Sequence, residues 1–332
     1  MRRLLVVFVV VLVAAGVGWY VLQHVGQTVH HALTEVSKQG EKGALPRHQV
    51  AAKTTNLGTK PARKLTISNP FGSVEVVGGA AGISFESKTY LPGKTLEEAR
   101  KLEVPIKVKT EITSEGEQKI EVVPIKDTPM LDVVVLDLKV KAPAGTPVSI
   151  EVTTGEGKVS GLTGGVAVHG QAGKVRVSEC TGKVVASTTV GDLEVEDTTG
   201  QIEANTSSGA LFADGVGGSV TARTMDGMAN VKVTRGDEVT VSTMSGAIDV
   251  KVESPFSGQM EVRTMSGDIA VAIPSNSDCR VRTMTNTGAI TCTLPLSKVE
   301  RAGPNVSGQL GAGKGSVEVT NNSGAISVKP LE

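Results

Sequence analysis

Between about residue 153 and residue 294, apolar and polar residues alternate in short runs. The apolar members pair up as Val175 and Val177, Val184 and Ala186, Leu193 and Val195, Ile202 and Ala204, Ile248 and Val250, Ile269 and Val271. With a period of two, every second side chain points to the same face, so each run predicts a strand with one buried side. A glycine stands two residues before each run. Gly155, Gly164, Gly173, Gly182, Gly191, Gly200, Gly209, Gly218 and Gly227 are nine residues apart. Asp237, Gly246, Gly258, Gly267, Ser277 and Gly288 continue the series with slips of one to three residues. Glycine accepts backbone angles that a side chain resists, so these positions read as corners. Asp tolerates the left-handed region better than most residues, which suits Asp237 to such a slot.

Nine residues are too few for a coil of their own, and a second regularity doubles the unit. Six residues after Gly182, Gly200, Gly218, Asp237, Gly258 and Ser277 stand Thr188, Thr206, Thr224, Thr243, Thr264 and Thr283. The intervening units carry Glu179, Asp197, Gly215, Val233, Val252 and Ile273 there. Two kinds of unit therefore alternate, and a pair makes one coil of 18 to 21 residues with two strands. The fold class expected is all-β: a β-solenoid (β-helix) of such coils, behind an N-terminal transmembrane helix. Coils stack about 4.8 Å apart, each burying its apolar edge only against its neighbours. In this frame Ile248, Ile269, Ile290, Val250 and Val271 point inward, while Asp249, Lys251 and Thr291 point outward.

The flanks are less regular. Arg2 and Arg3 precede an apolar run, Leu4 to Leu22, long enough to cross a bilayer. Ala14, Ala15 and Gly16 would suit a cleaved signal peptide, but the run continues past them, and Trp19 and Tyr20 sit where an interfacial belt belongs. Residues 1–22 are therefore expected to be a signal-anchor with the N-terminus cytoplasmic, and residues 23–63 a juxtamembrane helix and flexible linker. Residues 64–150 alternate without a fixed period and are expected to be an irregular β region that caps the solenoid of 151–332. Within them Thr95, with Glu98 three residues on, marks the start of a short helix. The insert Pro295–Gly313 interrupts the repeat, which resumes at Gly315 and Gly324. The final run, Ser323 to Val328, is expected to be an exposed edge over which that insert folds, leaving a mainly monomeric module.

The segment Lys141-Ala-Pro-Ala-Gly-Thr-Pro-Val-Ser-Ile-Glu-Val-Thr-Thr-Gly155 leads into Ser/Thr-Gly-x-Ile/Val-x-Val units such as Ser245-Gly246-Ala-Ile-Asp-Val, Ser266-Gly267-Asp-Ile-Ala-Val and Ser323-Gly324-Ala-Ile-Ser-Val. In these the chain resembles the bacterial putative-adhesin β-strand-repeat family of unknown function, over about residues 64–330. The resemblance implies a β-solenoid behind a membrane anchor or signal peptide, and it implies no activity.

Composition narrows the function. Lys+Arg and Asp+Glu both number 34, so the chain lacks the basic surface of a nucleic-acid binder. Aromatic residues make up 2%, few for the stacking grooves that hold sugars or single strands. The corners lack the regular Asp that calcium-binding nonapeptide repeats carry. His24, His30 and His31 read as part of a polar helix rather than a metal set. His169 has no nucleophile signature beside it in sequence. Met225, Met244, Met265 and Met284 follow the threonine column. Thioethers are soft ligands for copper(I), but methionines also fill irregular gaps, and that is the reading taken. Arg263, Arg280 and Arg282 would form a basic patch for an anionic polymer; against it stands a mixed, solvated face. Cys180, Cys279 and Cys292 are an odd number; Cys279 and Cys292 fall on opposing strands about 10 Å apart, too far for a disulfide, and are expected unbridged and buried as small apolar residues. No catalytic, cofactor-binding or metal-binding residue is assigned, and no cofactor is expected. The expected function is a non-enzymatic, membrane-anchored, extracytoplasmic adhesin-like module that binds an unknown envelope protein or surface polymer. A self-assembling scaffold resembling the bactofilins and a polysaccharide-acting β-helix enzyme are the alternatives.

Overall fold

A computed structural model describes residues 45–59, 62–126 and 129–331. The expected anchor at 1–22 and the histidines at 24, 30 and 31 lie outside the described residues. Among the described residues no helix is long and apolar enough to cross a membrane. The chain forms two compact units. The smaller comprises described residues 45–48 and 92–101 and holds the helix Leu96–Lys101. Its start follows the sequence signal: Thr95 Oγ1 accepts the N–H of Glu98 at 3.2 Å, and the Glu98 carboxylate accepts that of Lys94 at 3.0 Å.

The larger unit is the ladder of coils. Among the described residues, twenty-five strands join into one continuous sheet, folded into two faces. Strands one coil apart run parallel, at a shift of 18 residues up to Asp226 and of 19 and then 21 residues beyond it. Val166, Val184, Ile202 and Val220 stand side by side on the first face, and Val175, Leu193, Leu211 and Ala229 on the second. The inward apolar positions of the stacked coils are buried, with Ile290 an exception, and the outward ones are exposed or half-exposed. Ile248, Ile269, Val250 and Val271 are buried and Thr291 is exposed, as the frame requires. Asp249 and Lys251 face outward, paired to each other at 3.2 Å. Ile290 is only half-buried, because its short strand, Ile290–Cys292, has a parallel partner on one side alone.

Glycine governs the corner after each long strand for two reasons. Gly173, Gly191, Gly209, Gly227, Gly246 and Gly267 have φ between 137° and 146°. A Cβ on any of them would lie 2.0 to 2.2 Å from the carbonyl oxygen of the corner glycine one coil away. Neither the angle nor the approach admits a side chain. Glu179 and Asp197, with φ of 53° and 46°, turn a second corner in register with Gly215.

Coil order departs from chain order at both ends. The last coil, Gly315–Ser323 with Ile326–Pro330, lies between Gln259–Ser266 with Ile269–Ile273 on one side and Cys279–Thr287 with Ile290–Cys292 on the other. The first coil, Lys64–Asn69 with Val74–Val77, likewise lies between Glu117–Pro124 with Val135–Lys141 and Val148–Thr154 with Gly157–Ser160. The expectation that Ser323 to Val328 forms the exposed edge is therefore corrected. Its apolar residues Val317, Val319, Ile326 and Val328 are fully buried, and an inside place gives their strands two ladders instead of one. The true edge strand, Cys279–Thr287, is covered by Asn305–Leu310, which pairs antiparallel and carries Ser297–Ala302 outside it. The insert thus caps an edge, but a different one. At the opposite end Ile106–Ile112 and Ile83–Pro92 pair antiparallel onto Glu117–Pro124 and Val135–Lys141. The juxtamembrane helix and linker expected over 23–63 contain, among the described residues, the strand Arg47–Gly58, paired with Ile83–Pro92. Its side chains are mostly polar and exposed, so no apolar alternation marked it.

Candidate binding face

Where each long strand meets its glycine corner, Thr188, Thr206, Thr224, Thr243 and Thr264 stack in register and are buried. Four of the hydroxyls donate to backbone rather than to one another, and that of Thr224 is buried without a partner. Thr188 bonds the carbonyl of Gly173 at 3.1 Å and Thr206 that of Gly191 at 3.2 Å, so each of these two ties a strand end to a corner of the neighbouring coil. Thr283 is not part of this column. Its register partner is Val319, and Thr285, through Asn321, aligns with Thr264. Counting from Ser277 misplaced the column by two residues. Ser277 lies in a turn closed by its N–H on the Pro274 carbonyl at 3.1 Å, with its Oγ accepting the N–H of buried Phe256 at 3.0 Å. Cys279, not Ser277, aligns with Gly315.

The methionines that follow the threonines do not fill gaps. Met225, Met244 and Met265 occupy one row on three consecutive coils and are 51%, 51% and 56% exposed. An inward threonine forces the next residue on the strand outward. Met228, three residues after Met225 at the same corner, is also exposed. Met284 leaves the row and aligns with Thr320. Beside the row runs an open groove of about 500 Å³, lined by Ser187, Asn205, Arg223, Ser242, Met225 and Met244.

One rung of this face was invisible by adjacency in sequence. His169 Nδ1 lies 2.7 Å from Ser187 Oγ, and Glu151 stands in register on the other side of His169. The common interval of 18 residues was the available signal. The three do not make a triad. Ser187 takes one imidazole nitrogen, and no described hydrogen bond joins the other to Glu151, so nothing orients the base.

The arginines divide as well. Arg263 pairs with Glu261 on its own strand. Arg280 and Arg282 lie two coils away, in register with Ser316 and Glu318. The second face is a ladder of mixed charge. Glu75 lies between Lys139 at 3.0 Å and Lys158 at 3.9 Å, and Lys232 bridges Asp214 at 3.4 Å and Glu253 at 3.0 Å. Burial pushes the Glu194 carboxyl up, but bonds from Lys174 and Arg176 outweigh it and hold the group below its usual range. Phe212 stands half-exposed next to Glu194 in this ladder. Cys180, Cys279 and Cys292 are free thiols, the first two buried and the third half-buried. Burial pushes Cys279 up to about 11.

Toastrack DUF4097, as a family, matches residues 85–329, most of the chain. The chain belongs to that family. The Toastrack match agrees with the resemblance carried by the Ser/Thr-Gly-x-Ile/Val-x-Val units. Similar solved structures include a "putative cell adhesion protein" from Clostridium sporogenes, at 12% identity over 85% of this chain and 99% of that one, with a TM-score of 0.25. Others are a "putative adhesin" from Bacteroides fragilis (11% identity, 85% and 97% covered, TM-score 0.28) and one from Parabacteroides merdae (7% identity, 86% and 97% covered, TM-score 0.33). TM-scores this low carry no argument about the Toastrack ladder's function. No curated protein matches the sequence significantly.

Proposed function

We propose that this Toastrack chain is a non-enzymatic, adhesin-like binding module, held to a membrane by residues 1–22, with residues 64–332 extracytoplasmic. The partner is an envelope protein or a surface polymer. The observation that carries this reading is the in-register stacking of coils that are 18 to 21 residues long. It repeats each outward side chain at a spacing of about 4.8 Å, a periodic surface suited to an extended ligand. A second observation favours a single module over the self-assembling scaffold. The outermost strands of the first face carry Lys107, Lys109 and Glu111 at one end and Lys298, Glu300 and Arg301 at the other, all exposed. Charged edge strands discourage pairing with another chain. The test is a pull-down from envelope extract, with a glycan array beside it, using the full chain in detergent. Recovery of a saturable partner lost on charge reversal of a ladder face supports the module. End-to-end filaments in negative stain favour the scaffold.

A further inference from the structure

We propose that Met225, Met244 and Met265 form a binding site for a soft monovalent metal ion, copper(I) in nature and silver(I) as its stable probe. The site is independent of any polymer-binding role. Three observations meet here. The residues stand in strict register, because Thr224, Thr243 and Thr264 before them and Asp226, Ser245 and Ser266 after them are partners across consecutive strands. Neighbouring strands lie about 4.8 Å apart, so three thioethers on flexible, unbranched side chains share one stretch of surface. All three are more than half exposed, although the same row position on other coils is filled by the polar residues Thr189, Ser207 and Asn322.

Packing does not call for methionine here. The buried work of the corner is done by the threonines, which are themselves buried and of which Thr243 and Thr264 bond backbone carbonyls. What distinguishes a methionine from the Thr or Ser at equivalent positions is its sulfur. Neutral thioethers select soft ions such as copper(I) and give hard ions such as calcium or magnesium no charge to bind. The surroundings set the limits of the site. Asp226 follows Met225 and is exposed, a negative charge next in the chain, while Arg223, two residues before Met225, opposes a cation of higher charge. Arg263, two residues before Met265, is paired with Glu261. A monovalent ion suits this balance better than a divalent one.

Thioethers do not take up protons between pH 5 and 8, where histidine does, so binding should be flat across that range. The experiment is a silver nitrate titration of the full chain in detergent, carrying 13C-labelled methionine methyl groups and followed by NMR. The expected result is that the methyl signals of Met225, Met244 and Met265 move together and saturate near one equivalent, while that of buried Met260 stays. Copper(I) affinity, read by competition with a chromophoric chelator, should be equal at pH 5 and pH 7. Removing even an outer partner of a metal ligand costs roughly tenfold in affinity, so each single Met→Leu change should weaken binding by at least that factor. The Met225→Leu/Met244→Leu/Met265→Leu variant should lose the site and keep its melting temperature, since the positions are exposed. A Cys292→Ala variant removes the half-buried thiol as a competitor and should bind unchanged. Binding that survives the triple variant, vanishes with Cys292→Ala, or falls away at pH 5 would overturn the proposal.

Discussion

Gly246→Ala separates the two constraints on the corner glycines. Gly246 has φ of 144°, a region that a side chain enters at a cost of about 1–3 kcal/mol. Its new Cβ would also lie 2.1 Å from the Gly227 carbonyl oxygen and 2.7 Å from the Gly227 carbonyl carbon. Those atoms are backbone in the neighbouring coil, so the contact is relieved only by parting two coils, an overpacking cost of about 1–3 kcal/mol more. The sum is about 2–6 kcal/mol, which lowers the melting temperature on the order of 10 °C for a domain of this size. Two controls isolate the parts. Gly303 has φ of 61° with nothing near its Cβ, so Gly303→Ala pays only the left-handed strain, about 1–2 kcal/mol. Gly145 has open space and no left-handed angle, so Gly145→Ala should be neutral or slightly stabilising. Thermal melts by circular dichroism rank the three. Hydrogen exchange locates the damage, which should appear first at the N–H groups of Gly227 and Ala229, bonded to Ser245 and Ala247 across the parted seam. If Gly246→Ala melts with Gly303→Ala, the approach between coils is not what demands glycine.

Ile269→Asp places an unpaired charge among fully buried neighbours and should melt the surrounding coils; an unchanged melting temperature refutes the core frame. Deleting 296–312 should bare the outer edge of Cys279–Thr287 and give concentration-dependent oligomers in light scattering, whereas a monomeric variant shows that the insert is not the cap. Non-reducing peptide mapping should find all three cysteines unlinked, and a linked Cys279–Cys292 pair would contradict the separation of the two faces. Because Glu194 is held below its usual range when folded, its contribution is present above the ordinary carboxylate range and fades as pH falls through the folded value. Glu194→Gln should therefore lower stability at neutral pH and converge with the parent chain in acid; a constant gap at all pH values excludes a role for the charge.

The interior of the ladder was legible because one physical requirement recurs. Gly173, Gly191 and Gly209 meet the same corner and the same carbonyl, so the spacing of glycines carried the coil length directly. The count failed at Ser277, where a turn added residues outside the ladder, and with it the places of Thr283, Met284 and Arg282. Alternation names which residues are buried but not which strand lies alongside, so the order of the terminal coils was hidden. The exposed methionines were hidden for a related reason. Their spacing was visible, but only the side to which Thr224 and Thr243 point decides that Met225 and Met244 face water.

The inward placement of the last coil also decides how the ladder answers a mechanical load. Tension on the C-terminus reaches Ile326–Pro330 first, a strand bonded to Ile269–Ile273 on one flank and to Ile290–Cys292 on the other. A strand at a free margin peels from a single neighbour, one rung at a time. This one can leave only by parting two seams together, and the strand that precedes it, Gly315–Ser323, is gripped in the same way by Gln259–Ser266 and Cys279–Thr287. A pull transmitted through Ile326–Pro330 is thereby shared by three coils from its first increment, and this inserted coil serves the ladder as a rivet.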